Sequence, residues 1–227
     1  MTRILIALIL TANWLICAEI QVGSAVIMTP DLAGQTGITS NTRQFSIQES
    51  STPATNRLLY LSAPTALADQ ANSGTLVDLD NFHVIQSFRQ AEHMDISAEM
   101  FKGLTQQIAG GMTEALDEIS MEDLQQTLDA QLKAQQGIDS PIKLGKPRLV
   151  GDIDQTGGKV SALMLIDVAI NDEPKVFACR FTILTLRQRF IYVYSYKSVS
   201  GADSLAAVGK QHEDFLAALH QANAPAP

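Results

Sequence analysis

Cysteine is nearly missing from this chain: it occurs twice in 227 residues, at Cys17 and Cys179. Cys17 falls in a segment that reads as a leader, so a mature protein would keep only Cys179 and no internal disulfide. Its stability must then come from a core. Cys179 lies between Phe177 and Phe181 on one strand face, the setting of a buried, inert thiol rather than a reactive one. Basic charge is also short, with 16 Lys and Arg against 24 Asp and Glu and a formal charge of -8. That balance excludes a nucleic-acid partner, which would need a basic face. There is no run of like charge and no solenoid or propeller repeat.

The signatures of common chemistry are missing as well. His83, His93, His212 and His220 have neither metal-ligand spacing nor neighbouring cysteines, so no metal or cofactor is expected. His212 and His220 are two turns apart on one helix and read as helix-surface residues. No nucleophile elbow, phosphate-cradling loop or dinucleotide fingerprint is present. Gly110-Gly111 and Gly157-Gly158 lack the strand-to-helix context such loops require. Ser, His and Asp are plentiful, but nothing arranges them into a triad, and no catalytic residue is assigned.

What the chain does have begins at its N-terminus. Thr2-Arg3 gives a short positive start, and residues 4–17 are apolar except for Thr11 and Asn13. Ala18 and then Glu19 follow. Residues 1–18 therefore read as a secretory signal peptide cleaved after Ala18, with Ala25 a second choice, and an exported, periplasmic protein is expected. An uncleaved anchor is the alternative, although the apolar run is shorter than the ~20 residues that span a bilayer. Lipid attachment at Cys17 is a third reading, which bulky Ile16 fits poorly. Membrane contact is expected only through this segment.

Hydrophobic residues at 46% and charged residues at 18% fit a globular domain. Residues 19–42 are rich in Gly, Thr, Ser and Gln and read as a flexible lead-in. A single domain over residues 43–222 and a disordered tail over 223–227 complete the plan. Short strands are expected at 44–49 and 57–62, divided by Ser50-Ser51-Thr52-Pro53. Residues 64–74 form a short helix or a loop, and residues 76–79 pair as strands with 82–88. Phe82, Val84 and Phe88 share one face; His83, Ile85 and Ser87 share the other.

Ile96, Met100, Leu104 and Ile108 then follow helical spacing, with Ser97 as the cap. Gly110-Gly111 is expected to bend or break that helix. Ser120 starts a further helix carrying Leu124, Leu128 and Leu132, and Gly137 ends it. The Met and Leu stripes read as core, with a partner-binding groove as the other possibility.

Four strands, approximately 142–154, 159–170, 175–185 and 189–197, form an antiparallel meander joined by short turns. Pairing Thr185 with Phe190 sets Ile183, Phe181 and Cys179 opposite Tyr192, Tyr194 and Tyr196. Pairing Ile170 near Lys175 sets Leu165 opposite Arg180 and makes Asp167 and Arg180 diagonal neighbours among apolar residues. These two form the candidate polar pair, either a structural ion pair or a ligand-anchoring Arg. Both sheet faces are too apolar to face water, so layers on both sides are required. A last helix, begun by Ser200 or Asp203, supplies Leu205, Val208, Phe215, Leu216 and Leu219 as one cover. The fold class is thus α+β: an antiparallel sheet with a C-terminal four-strand meander and helices on both faces, like an α/β/α sandwich.

The strand Phe190-Ile-Tyr-Val-Tyr-Ser-Tyr196, leading through Val199-Ser-Gly-Ala-Asp203 into the last helix, resembles the PsbP-like and DcrB-like group of exported α/β proteins. The likeness is one of pattern over residues 44–222. The central helical section is longer than that group leads one to expect, and the aromatic N-terminal strand is not evident. The resemblance implies a largely non-enzymatic binding or accessory domain of the bacterial envelope, taking a protein partner or small ligand between sheet and helices. The alternatives are an enzyme whose site is assembled from distant residues, or a factor held at the envelope by its N-terminus.

Overall fold

A computed structural model describes residues 18–30, 32–137, 142–156 and 158–224. The leader, the anchor alternative and Cys17 lie outside the described residues, apart from Ala18. The expected α+β architecture is observed, as an eight-stranded antiparallel sheet with helices packed against it and a separate two-stranded hairpin.

The sheet is built outward from the meander. The strands β8 (Val160–Ile170), β9 (Glu173–Leu186) and β10 (Arg189–Ser198) are joined by two-residue turns. Asn171 and Asp172 have φ of 53° and 66°, and Arg187 and Gln188 have φ of 48° and 62°. Two successive left-handed residues match the natural twist of a hairpin, so each turn locks its register. The β9–β10 register is the expected one, with Tyr192, Tyr194 and Tyr196 opposite Ile183, Phe181 and Cys179.

The β8–β9 register differs from expectation by two residues. Ile170 pairs with Glu173, so Leu165 faces Ala178 and Asp167 faces Val176. The tight Asn171-Asp172 turn draws Glu173 and Pro174 into the strand rather than leaving them in a longer loop. Residues 142–154 are also not one strand: β6 (Ile142–Leu144) and β7 (Arg148–Asp154) each pair with β8.

On the far side of β10 the sheet continues through β5 (Asn81–Phe88), β4 (Asn56–Pro64) and β3 (Gln35–Gly37). Residues 76–79 form no strand, and the partners of β5 are β4 and β10. Residues 44–49 form helix α1 (Arg43–Ser50) rather than a strand. Thr42 sits in extended conformation and its hydroxyl accepts the Phe45 amide, the hydrogen bond that starts a helix.

The tyrosine face of the sheet is covered by α1, α2 (Thr65–Asn72) and α3 (Ala98–Glu118), while α4 (Met121–Gln136) lies against α1 and β6. Phe45, Ala68 and Ala71 pack on Leu61, Phe82 and Val84, while Ile96 and Phe101 pack on Cys179, Phe181 and Phe190. Of the bend or break expected at Gly110-Gly111, the break does not occur: helix α3 is continuous through both residues. Ser97 and Ser120 cap α3 and α4 as expected, and Gly137 closes α4 in the left-handed conformation at φ 66°.

The opposite face carries α5 (Asp203–Ala222), whose Phe215, Leu216 and Leu219 close over Ile85, Leu184, Ile191 and Val193. The segment read as a flexible lead-in contributes to this layer. Strands β1 (Glu19–Val22) and β2 (Ala25–Met28) form a hairpin that buries Ile20, Val22 and Ile27 in the same core. Its turn rests against the loop after β5, and a Cβ at Gly23 (φ 57°) would lie 2.1 Å from the Glu92 carbonyl oxygen.

Arg189 holds the hairpin from below. It is buried, and its guanidinium donates to Val22 O at 3.2 Å, Ser24 Oγ at 2.8 Å and Met94 O at 2.9 Å, with Asp95 alongside. Asn223, expected in a disordered tail, is instead buried. Its amide accepts the Met28 N–H at 2.9 Å and donates to Met28 O at 2.8 Å.

Candidate functional site

The meander's polar pair does not form. With the register shifted, Asp167 binds the guanidinium of Arg148 on β7, at 3.1 and 3.2 Å, and both groups are half exposed. Arg180 lies opposite Leu163 on one side and Ser195 on the other. The two residues therefore belong to different neighbourhoods. Cys179 is free and fully buried, as expected, and burial pushes its thiol up to about 12. The three tyrosines are core rings, stacked in series along β10 at 6.1 to 6.4 Å, with burial raising each phenol above its ordinary value.

A second polar group, assembled from five elements, lies between α5 and the sheet. Ser195 Oγ on β10 is 2.8 Å from Nδ1 of both His83 on β5 and His212 on α5. Nε2 of His212 is 2.7 Å from Thr182 Oγ1, which is 2.5 Å from Ser161 Oγ. Nε2 of His83 is 3.1 Å from the amide nitrogen of Gln211, which also binds Asn81. Taking that nitrogen as donor fixes every proton that follows. Gln211 donates to His83 Nε2, His83 Nδ1–H to Ser195, Ser195 O–H to His212 Nδ1, His212 Nε2–H to Thr182, and Thr182 O–H to Ser161. Each link has one donor and one acceptor only while both imidazoles are neutral.

His212 is therefore a core residue rather than the helix-surface residue expected from its spacing. His83 stacks on Phe215 with ring centroids 4.2 Å apart. Burial pushes both imidazoles down to about 3, and for His212 the positive charges of Arg180 and Lys159 act in the same direction. A serine between two histidines invites a hydrolytic reading, but the geometry opposes it. Ser195, His83 and His212 are all fully buried, and bases this weak do not draw a proton from a hydroxyl near pH 7. The chain of hydrogen bonds fastens α5 to the sheet.

An apolar site open to a ligand lies on the other face. A groove of about 510 Å³ separates α3 from the end of β5 and β10. Phe88, Phe190 and Tyr192 form its floor; Met100, Leu104 and Ile108 form its helical wall, with Gly103 between them and Ile96 just before the helix. The only polar side chains among its described lining residues are Gln107 and Tyr192, and none is charged. Met94, Met100 and Leu104 on its rim are 46%, 44% and 37% exposed. The volume and apolar lining fall in the range of small-molecule sites.

The stripe Ile96, Met100, Leu104 and Ile108 was expected to be core, and only half of it is. Ile96 is buried and Ile108 partly so, but α3 turns Met100 and Leu104 outward. Helix α3 has only Phe101 and Thr105 buried among its 21 residues, so it stands away from the sheet and leaves the groove. Among the described residues, no cluster of His, Cys, Asp or Glu could hold a metal ion. No described helix is long and apolar enough to cross a membrane. No family model, curated protein or solved structure matches the chain.

Proposed function

We propose that this is a non-enzymatic binding protein that holds a small apolar ligand in the groove between α3 and the sheet, and that it works outside the cytoplasm as an accessory factor of the bacterial envelope. The observation that carries the binding reading is the groove itself: an uncharged cleft of about 510 Å³ rimmed by exposed Met94, Met100 and Leu104. Three large apolar side chains clustered at one opening are costly to leave in water, and a ligand that covers them regains that cost. The leader pattern over residues 1–18 supports export, and the likeness to PsbP-like and DcrB-like proteins supports a binding role.

The test uses an apolar fluorescent probe, 1-N-phenylnaphthylamine, titrated into the purified protein. Saturable binding that falls at least tenfold in Leu104→Glu, with the thermal midpoint unchanged, is the expected result. Binding that is equal in the two proteins would overturn the assignment of the site. Export has a separate measurement: the mass of the mature protein should place its N-terminus at Glu19, and a chain retaining Met1 in the cytoplasm would contradict it.

A further inference from the structure

Resting on that reading, we infer that the ligand is an amphiphile with one straight alkyl chain, laid along α3 with its polar head outside the groove. The run of α3 along the cleft points to a linear occupant. The α3 residues lining it are Met100, Gly103, Leu104, Gln107 and Ile108. That spacing is a single face followed for two turns, about 12 Å of helix axis. A cleft drawn out along a helix suits a chain better than a compact ring system.

The chemistry of the lining points the same way. With no charge on any described lining residue, a buried ionic group would find no partner, so the enclosed part of the ligand is hydrocarbon. The charged or hydroxylated end must stay at the rim. The wall is also adaptable. Met94 and Met100 are unbranched thioethers that refit themselves around different chain positions. Gly103 leaves a gap, since a Cβ built there meets no heavy atom within 4 Å. Gly110 and Gly111 lower the intrinsic stability of the same helix, which is already held by few buried side chains. A wall of this kind can close on a flexible chain of variable length.

The experiment is displacement of bound 1-N-phenylnaphthylamine by alkyl maltosides from hexyl to tetradecyl, kept monomeric, beside a planar sterol and a two-chain phospholipid. Each added methylene should tighten binding about three- to fourfold. The gain should stop once the chain outgrows the groove. Gly103→Trp fills the gap and should abolish both probe and maltoside binding. Gly110→Trp, outside the groove, should leave them intact, and circular dichroism confirms that both variants fold. A probe that binds but is displaced by the sterol or the phospholipid more strongly than by any maltoside would overturn the single-chain inference alone. So would displacement that does not vary with chain length. A probe that binds equally to Gly103→Trp would instead overturn the groove as the site.

Discussion

Lowering the pH from 7 to 5 tests the buried hydrogen-bond chain before most carboxylates respond. In the folded protein His83 and His212 are held at about 3, while in the unfolded chain they titrate near 6.5. Below 6.5 the unfolded state takes up protons that the folded state refuses. Stability therefore rises with pH through this window: it is complete above about 6.5 and is lost progressively as pH falls toward 3. For a histidine that stays neutral in the fold, moving from pH 7 to pH 5 costs about 2 kcal/mol, so the pair should cost about 4 kcal/mol. The groups around them do not offset this. Lys159 and Arg180 repel a charged His212, and Glu213 is already engaged by Lys159 at 3.1 Å. Lys210 and Asp214, beside Gln211 on α5, are paired with each other. Asp80 and Glu92, whose carboxyls lie below their ordinary values, lose their contribution only at lower pH, because their unfolded values are near 4. The assay is urea denaturation at half-unit pH steps, in wild type and in His212→Gln. The variant should be less stable at pH 7 but should lose only about 2 kcal/mol on reaching pH 5. A wild-type change smaller than about 1 kcal/mol over that interval would refute the neutral, fully ordered chain of hydrogen bonds.

Two further substitutions examine the hairpin and the sheet edge. Gly23→Ala combines a left-handed backbone with a Cβ 2.1 Å from Glu92 O. It should cost at least about 2 kcal/mol in urea denaturation, and a neutral result would mean that the hairpin does not rest on that loop. Asp167→Ala should change stability by no more than about 0.5 kcal/mol, because its partner Arg148 is itself exposed; a larger loss would indicate a buried partner.

The meander was legible because its information is local. Alternation along Phe190 to Tyr196 and the two-residue turn at Arg187-Gln188 together determine the β9–β10 register. The same logic failed at Asn171 to Pro174, where strands ending at 170 and starting at 175 implied a four-residue turn and two left-handed residues made a shorter one. That error moved Asp167 away from Arg180. The helix caps at Ser97, Ser120 and Gly137 could be read for the same local reason. Helix α1 could not, since alternation over Phe45, Ile47 and Glu49 suits a strand as well, and only the cap at Thr42 decides.

The candidate groove was out of reach for a different reason. Met100 and Leu104 carry a core pattern, and nothing local says that α3 stands off from the sheet there. The signal that was available is glycine at 103, 110 and 111, of which the pair at 110 and 111 was expected to bend or break the helix rather than to loosen its packing. The histidine chain joins residues 83, 161, 182, 195, 211 and 212, whose proximity is created by the fold. The alternation that set His83 beside Ile85 and Ser87, away from Phe82 and Val84, was the one hint of it.

The grip of Asn223 on Met28 has a consequence for the order in which the molecule can form. The two residues are 195 positions apart, and they join the last turn of α5 to the first hairpin. Ile20, Val22 and Ile27 share their core with Phe215, Leu216 and Leu219. During synthesis the hairpin and the back of β9 and β10 thus wait, with apolar surface uncovered, until the final helix has emerged. Contacts this distant slow folding. Until α5 docks, that apolar surface stays open to association with other chains.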